Sequence, residues 1–506
     1  MNDRKNTTVR GEGNGHPAGR TERRTYGGGS CEKGKTYGRK PPLRTGPYGK
    51  PAPVRKTNAP MEGLETRRIA LKVLRQVTED GAWASAALDG ALRGSGLSAA
   101  DRRLVSRLVY DTLDRLIWLD HMLGQVMARE DTDIKLRNIL RLGACQILLE
   151  DRIPESAATN TCVELCRELG MEGLKGVCNG ILRNLVRKKD ELTLPDPVTE
   201  PDKAFSVRNS IPEWLGKRLR ADYGEEADKI VSFRTEESYI TIRPNLTQYD
   251  DEAFAQLLGK KIWGRTQTDV PHAWRITGAM DIAEDADFRA GHFSVMSESS
   301  MIACMAMDVR RGKQVLDCCA APGGKTCYLA EIMGGTGRVQ AWDIHPHRVD
   351  LIRAQAGRLG LENIRPVIRD AAKPRDDLNG TMDYVLLDAP CTGLGVIADK
   401  PDIKLRVTEE SADELIALQR TLLDTVCAYV RPGGTLVYST CSVLKGENED
   451  QARAFLERHP EFEATALPDT VPQRFRRYSG TGLQLLSYRD GVEGFYICRM
   501  RRKTGV

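Results

Sequence analysis

The sequence predicts a multidomain chain of class α plus α/β, with a helical bundle, a small α+β subdomain and a C-terminal domain built on a mostly parallel sheet. Three observations predict it. Residues 1–60 are rich in Gly, Pro and basic side chains and show no hydrophobic period. Residues 61–190 repeat apolar side chains at helical spacing. From residue 291 to 506, short strand-like runs alternate with helical ones, as in a parallel sheet flanked by helices. A chain of 506 residues is also too long for one ordinary core.

The first segment holds 11 Gly and 7 Pro, and 14 Lys/Arg against 4 Asp/Glu. Its net charge of +10 exceeds the +5 of the whole chain, so the other residues are net acidic and the basicity belongs to a tail. Such a segment cannot bury enough surface to offset its ordering entropy, and disorder is expected. Interspersed Arg, Gly and Tyr suit loose contact with RNA, and equally a solubilising tail with no specific partner.

Residues 61–190 read as a bundle. In "TRRIALKVLRQVTEDG", Ile69, Val73 and Val77 share a face, and Gly81 stops the helix. "SAADRRLVSRLVYDTLDRLIWL" opens with a capping pair, Ser98 and Asp101, and carries Leu104, Leu108 and Leu116 along one side. "LRNILRLGACQILLE", "SAATNTCVELCREL" and "VCNGILRNLVRKK" supply further helices. Residues 191–290 mix helical runs ("IPEWLGKRLRADYG", "DEAFAQLLGK") with the strand-like "SYITIRPNL". The last domain alternates "QVLDCCA", "TCYLAEIM", "RVQAWDI", "HRVDLIRAQAGRLG", "YVLLDAP", "LIALQRTLLDTVCAYV" and "TLVYSTC", and closes on an expected hairpin, "LQLLSYRDGVEGFYICRMRR".

Several classes are excluded as expectations. No apolar run is long enough to span a membrane, and the N-terminus has no secretory h-region. The 13 cysteines show no CxxC pair and no CxxC…HxxxH spacing, so neither a zinc site nor a disulfide framework is expected. A cytoplasmic, reducing location with free thiols is the expectation, with Cys145, Cys162 and Cys166 as core.

A ligand site is expected at the strand ends. "DCCAAPGGKT" puts small residues between a strand and a helix, where backbone amides can approach a ligand. It is not a P-loop, because the required glycine is Cys319. Asp343 ends the next strand, 19 residues after Gly324, where an acid commonly accepts from a ribose diol. Asp370 follows the third, placed for an adenine amino group. Loop, ribose acid and adenine acid in order indicate an adenosyl cofactor, although each acid alone could be a helix cap or loop end. Cys391 in "DAPCTGLG" and Cys441 in "STCSV" both follow strands on that edge. Two thiols there make nucleophilic chemistry the leading reading.

"LDCCAAPGGKT", "LLDAPCTGLGV", "KPDIK" and "YSTCSVLKGENE" resemble the motifs of RNA 5-methylcytosine methyltransferases. The helical region, with "DRRLVSRLVYDTL", "ILRLGACQILL", "IPESAATNTCVEL" and "NGILRNLVR", is similar to a NusB-like RNA-binding domain. Together they resemble the RsmB (Sun) family of ribosomal RNA methyltransferases. The resemblance implies a Rossmann-like catalytic domain, S-adenosyl-L-methionine as cofactor, and methylation of cytosine C5 in 16S (small-subunit) ribosomal RNA by a monomer that needs no metal. It makes Cys441 the nucleophile that forms an adduct at cytosine C6, and Cys391 the group that assists proton removal and release. It places Asp388 at the N3/N4 edge of the base and on the cofactor border, with Lys325 reaching the base and its own loop. Cys319, Ala320, Ala321, Pro322, Gly323, Gly324 and Lys325 would hold the methionine part of the cofactor, Asp343 the ribose and Asp370 the adenine.

The chain departs from that pattern at Met296-Ser297, where relatives show "QD", at Leu405, where they show Trp, and at Glu493 in "EGFY". Alternatives stay open: the same reaction on transfer RNA or another RNA, a DNA cytosine methyltransferase with the thiol roles reversed, or a non-enzymatic RNA-binding assembly protein. The absence of an "ENV"-type motif and the NusB-like half argue against DNA.

Overall fold

The computed structural model describes residues 61–505 except 130, 236–237, 279–280 and 478–479. The tail expected to be disordered lies outside the described residues.

Seven helices form the N-terminal bundle: Leu64–Thr78, Ala84–Leu92, Ala99–Asp114, Leu116–Gly124, Ile134–Leu149, Glu155–Glu168 and Lys175–Lys188. They pack one core in which Val73, Leu108, Ile139, Cys162 and Leu182 are fully buried, together with Cys145 and Cys166. The Ser98 hydroxyl caps the third helix by accepting from the Asp101 amide at 3.1 Å. The run expected to continue through Leu116 breaks at Arg115, whose backbone leaves the helical region. The Ser210 hydroxyl accepts from the Ile117 amide at 3.0 Å and so starts the next helix from outside. The helix Ala84–Leu92 was not expected. Its first amide donates to the Asp402 carboxylate at 3.0 Å, a cap supplied 318 residues downstream.

Three helices, Pro201–Asn209, Glu213–Tyr223 and Glu226–Ser232, lead into a small antiparallel sheet. Its strands are β1 (Ile240–Pro244), β2 (Gly264–Gln267), β3 (Trp274–Thr277) and β4 (Phe293–Val295), in the order β2-β3-β1-β4. Ile242, Phe254, Trp274 and Phe293 fill the space between this sheet and the helix Asp251–Gly259.

The C-terminal domain holds β5 (Gln314–Asp317), β6 (Arg338–Asp343), β7 (Ile364–Ile368), β8 (Met382–Asp388), β9 (Val430–Thr440), β10 (Phe462–Ala464), β11 (Leu483–Leu485) and β12 (Phe495–Arg502). Strands β5 to β9 run parallel, and their order along the sheet is β10-β12-β9-β8-β5-β6-β7. The chain therefore builds outward from β5 to β7, then crosses back to β8 beside β5. Such a reversal opens a crevice at the carboxyl ends of the strands, where ligands bind in doubly wound sheets. The expected hairpin forms, with Leu483 opposite Ile497 and a short helix, Ser487–Asp490, in its connection.

One buried ion pair ties the small sheet to this domain. Arg243 of β1 and Glu331 of the helix Gly324–Ile332 are both fully buried, with Nη1 and Oε2 2.5 Å apart. Glu331 Oε2 also accepts from the Leu246 amide at 3.1 Å, and the guanidinium lies 4.5 Å from the centre of the Tyr328 ring. Removing one partner leaves a buried charge uncompensated, at about 3–5 kcal/mol. Glu331→Ala should therefore cut the unfolding free energy by about that much in denaturant titrations. Adding Arg243→Met should recover part of the loss. A double variant less stable than Glu331→Ala alone would contradict this reading of the pair.

Candidate active site

The loop after β5 turns sharply at Gly323, with φ +110°. A Cβ there would sit 3.2 Å from the Ile352 backbone, so only glycine fits. Cys319 to Pro322 form the approach, and the helix Gly324–Ile332 begins directly after it. The next side chain along this helix, Lys325, points its ammonium at Asp388 on the end of β8, 2.7 Å away. Burial pulls Lys325 down, but the Asp388 carboxylate outweighs it and the ammonium is held above its usual range. The other Asp388 oxygen accepts from the Ser439 hydroxyl of β9 at 2.8 Å.

Cys391 and Cys441 come from the loops after β8 and β9. Their sulfurs are 3.3 Å apart, both are free thiols, and both are half-buried. Either sulfur can donate across this distance; with Cys391 as the donor, the bond holds Cys441 below the usual thiol range, against its burial. Cys391 is pushed the other way, first by that same bond and then by desolvation. Burial pushes the Cys319 thiol up, which makes it a neutral part of the loop.

Asp343 ends β6 nearly buried. One oxygen accepts from the His345 amide at 3.0 Å, and the other lies 3.4 Å from Arg348. Asp370 lies two residues past β7, accepts from the Ala372 amide at 3.0 Å and faces Lys373 at 3.4 Å. The fold brings Lys325, Asp388, Cys391 and Cys441 together at the reversal of the sheet, with Asp343 and Asp370 farther along the same edge.

Several residues here were not singled out in the sequence. Asp317, at the end of β5, accepts from the Thr326 hydroxyl at 2.6 Å through one oxygen, while the other is buried with no hydrogen-bond partner among the described residues. Burial pushes this carboxyl up to about 7. Glu447 is fully buried between the two cysteine loops. It accepts from the Thr392 amide at 2.9 Å, the Thr392 hydroxyl at 2.6 Å, the Ser442 hydroxyl, and Gln419 at 3.0 Å. Thr392 and Ser442 directly follow the two cysteines. Asn448 donates to the Ser442 carbonyl at 2.9 Å and accepts from the Thr440 hydroxyl. Gly395 donates to the Cys441 carbonyl, and Gly494 donates to the Gly395 carbonyl, both at 2.9 Å. A side chain on Gly395 would collide with the Gly494 backbone. The signal for Glu447 lay in "KGENE", but nothing local marks that glutamate as interior.

The departures from the family pattern also find places. Leu405 packs against the core of the helical bundle. The Ser297 hydroxyl caps the helix Glu298–Met307 by accepting from the Ser300 amide. Glu493 accepts from the Ser299 hydroxyl at 2.9 Å. Among the described residues no cluster of three or more His, Cys, Asp or Glu could hold a metal ion.

A family model described as 16S rRNA methyltransferase RsmB/F matches residues 304–501. The NusB family model matches residues 64–187, and an RsmF/B-like ferredoxin-like domain matches 211–283. The chain is 34% identical over 449 residues to a probable ribosomal RNA small subunit methyltransferase B of Bacillus subtilis, covering 88% of this chain and 100% of that one. It is 32% identical over 438 residues to the ribosomal RNA small subunit methyltransferase B of Pectobacterium carotovorum, covering 86% and 98%. Among solved structures, PH0851 superposes with a TM-score of 0.74 at 25% identity, covering 88% of this chain and 100% of that one. A methyltransferase homologue from Pyrococcus horikoshii gives 0.51 at 26% identity, covering 61% and 99%.

The thiol pair and its clamp make two expectations. Near neutral pH, iodoacetamide should label Cys441 faster than Cys391. Cys391→Ala removes the donated hydrogen bond, so the Cys441 pKa rises and its labelling profile should move to higher pH; an unmoved profile would contradict the assignment. Glu447→Ala leaves buried donors unpaired at about 1–3 kcal/mol each, and its thermal melt should show a loss of several such increments. Glu447→Gln, which keeps an acceptor and faces hydroxyls able to reverse, should lose less.

Proposed function

The chain belongs to the ribosomal RNA small subunit methyltransferase B family, and from that premise we propose that it transfers a methyl group from S-adenosyl-L-methionine to C5 of a cytosine in small-subunit ribosomal RNA. The observation that carries the reading is the pair of free thiols 3.3 Å apart beside the Lys325–Asp388 pair.

The residues present fit the cofactor. Asp317 ends the strand that leads into the Gly323 loop; its second oxygen is buried without a partner among the described residues, and an α-ammonium group suits it. The amides that open the helix at Gly324 suit a carboxylate. Asp343 is placed for the ribose hydroxyls and Asp370 for the adenine amino group. When bound there, S-adenosylmethionine supplies an electrophilic methyl group within reach of the base.

The protein's own part is to make C5 a nucleophile and then to restore the ring. The Cys441 thiolate bonds to C6, and the C5–C6 π electrons become available at C5. Asp388 accepts from the exocyclic amino group, and the Lys325 ammonium balances the charge that builds on the N3 side of the ring. Once Cys441 is bonded to carbon it carries no negative charge against Cys391. Cys391 no longer shares its proton with a thiolate; once that proton has passed to solvent, its own thiolate takes the proton from C5. The C5–H electron pair re-forms the C5–C6 double bond, and the sulfur of Cys441 leaves with the pair from its bond to C6. C5 and C6 are stacked inside a duplex, so the target must be single-stranded or flipped out.

Cys441→Ala should lower methyl transfer to small-subunit RNA by about 10³-fold or more, with no covalent complex on denaturing gels. Cys391→Ala should accumulate a protein–RNA adduct that resists denaturation. Adduct with Cys441→Ala but not with Cys391→Ala would reverse the two roles. Mapping of 5-methylcytosine in cells with and without the gene tests the substrate: one ribosomal cytosine should lose its mark, and loss confined to transfer RNA would contradict the ribosomal assignment.

A further inference from the structure

Three cavities between the helical bundle, the small sheet and the catalytic domain have one side chain in common, Tyr239. One, of about 660 Å³, is walled by Phe233, Arg265, Arg275, Asp399 and Glu493. A second, of about 840 Å³, lies between the small sheet and the helix Ala99–Asp114, against Arg102, Arg103 and Arg107. The third, of about 170 Å³, reaches Thr241, Ser297, Asp399 and Glu493. Tyr239 lines all three, so they form one trough from the bundle to the catalytic domain.

The Glu493 end of the trough is joined to the cysteine loops through the backbone. Glu493 precedes Gly494, whose amide donates to the Gly395 carbonyl, and the Gly395 amide donates to the Cys441 carbonyl. Its wall is therefore two backbone hydrogen bonds from the proposed nucleophile. Arg275 lies 4.4 Å from the centre of the Tyr239 ring and is pinned by Glu298 at 2.6 Å, so the ring has a rigid cationic backing. Arg103 and Arg265 form no ion pair or side-chain hydrogen bond among the described residues, whereas Arg234 and Arg275 are held by Asp114 and Glu298. A backed aromatic ring, two uncommitted guanidinium groups and two carboxylates suit stacked bases, phosphates and base amino groups respectively.

We propose that this trough holds the single-stranded RNA next to the target cytosine, with a neighbouring base stacked on Tyr239 and phosphates on Arg103 and Arg265. The proposal rests on the RNA reading of the active site, and its failure is separable from the failure of that reading. None of these three residues touches the thiols or the cofactor acids.

The test uses the full chain, a short single-stranded RNA carrying one cytosine, and S-adenosylmethionine titrated separately as a check on folding. Tyr239→Ala should weaken RNA binding by about 10-fold, the size expected for one lost stack, with cofactor affinity unchanged and Tyr239→Phe like wild type. Arg265→Ala should weaken binding and lower the slope of log affinity against log salt by about 1. In methylation assays Tyr239→Ala should raise KM and leave kcat. Wild-type RNA affinity in Tyr239→Ala, or a parallel loss of cofactor affinity, would overturn the proposal. If wild type binds the RNA but methylates no RNA, the reaction reading fails and the trough stands. If wild type methylates and Tyr239→Ala keeps its KM, the trough alone fails.

Discussion

The Glu447 carboxylate is fully buried and accepts from the residues that follow both cysteines. Burying a carboxylate is unfavourable unless donors replace its water, and here backbone, hydroxyl and amide donors do so. The consequence is geometric. Two loops that leave different strands are joined at one point, and their sulfurs are left 3.3 Å apart. The same spacing lets the two thiols share a hydrogen bond, and the thiol that donates lowers its neighbour's pKa while its own rises. Gly395 and Gly494 complete the join, where backbone meets backbone at a distance that admits no side chain.

The site is also tied to parts of the chain that contribute nothing to the chemistry. Residues 399–407 follow the Cys391 loop and dock on the helical bundle. Asp402 caps the helix at Ala84, Lys404 is buried against Asp114 at 2.9 Å, and Arg406 donates to the Gly81 carbonyl at 2.8 Å. Leu405 packs against the bundle core, which gives this departure from the family pattern a packing role. On the other side, Arg243 anchors the small sheet to the helix that carries Lys325. The bundle and the small sheet thus hold the two walls of the catalytic crevice.

What could be read in the sequence follows from what is local. The inner parallel strands β5, β8 and β9 are buried over most of their length and show as short apolar runs, whereas the edge strand β7 is partly exposed and does not; the helices of the bundle show their period. Strand β2 could not be read, because all four of its residues are exposed and no alternation marks it. The helix at Ala84 and the break at Arg115 were hidden, because their caps come from Asp402 and Ser210. The candidate site divides the same way. Cys391, Cys441 and the three strand-end acids stood out by residue type at strand ends. The Lys325–Asp388 contact, the Glu447 clamp and the open oxygen of Asp317 depend on long-range contacts that no spacing encodes.

In the proposed reaction two thiols, held together by one buried carboxylate, divide the labour. The most direct test incubates the wild-type protein with S-adenosylmethionine and small-subunit RNA containing 5-fluorocytosine, whose fluorine blocks the final proton removal. Digestion and tandem mass spectrometry then locate the trapped nucleotide. The nucleotide should be found on Cys441, methylated at C5, with Cys391 unmodified. A nucleotide on Cys391, or no covalent species with an RNA that the enzyme otherwise methylates, would contradict this division.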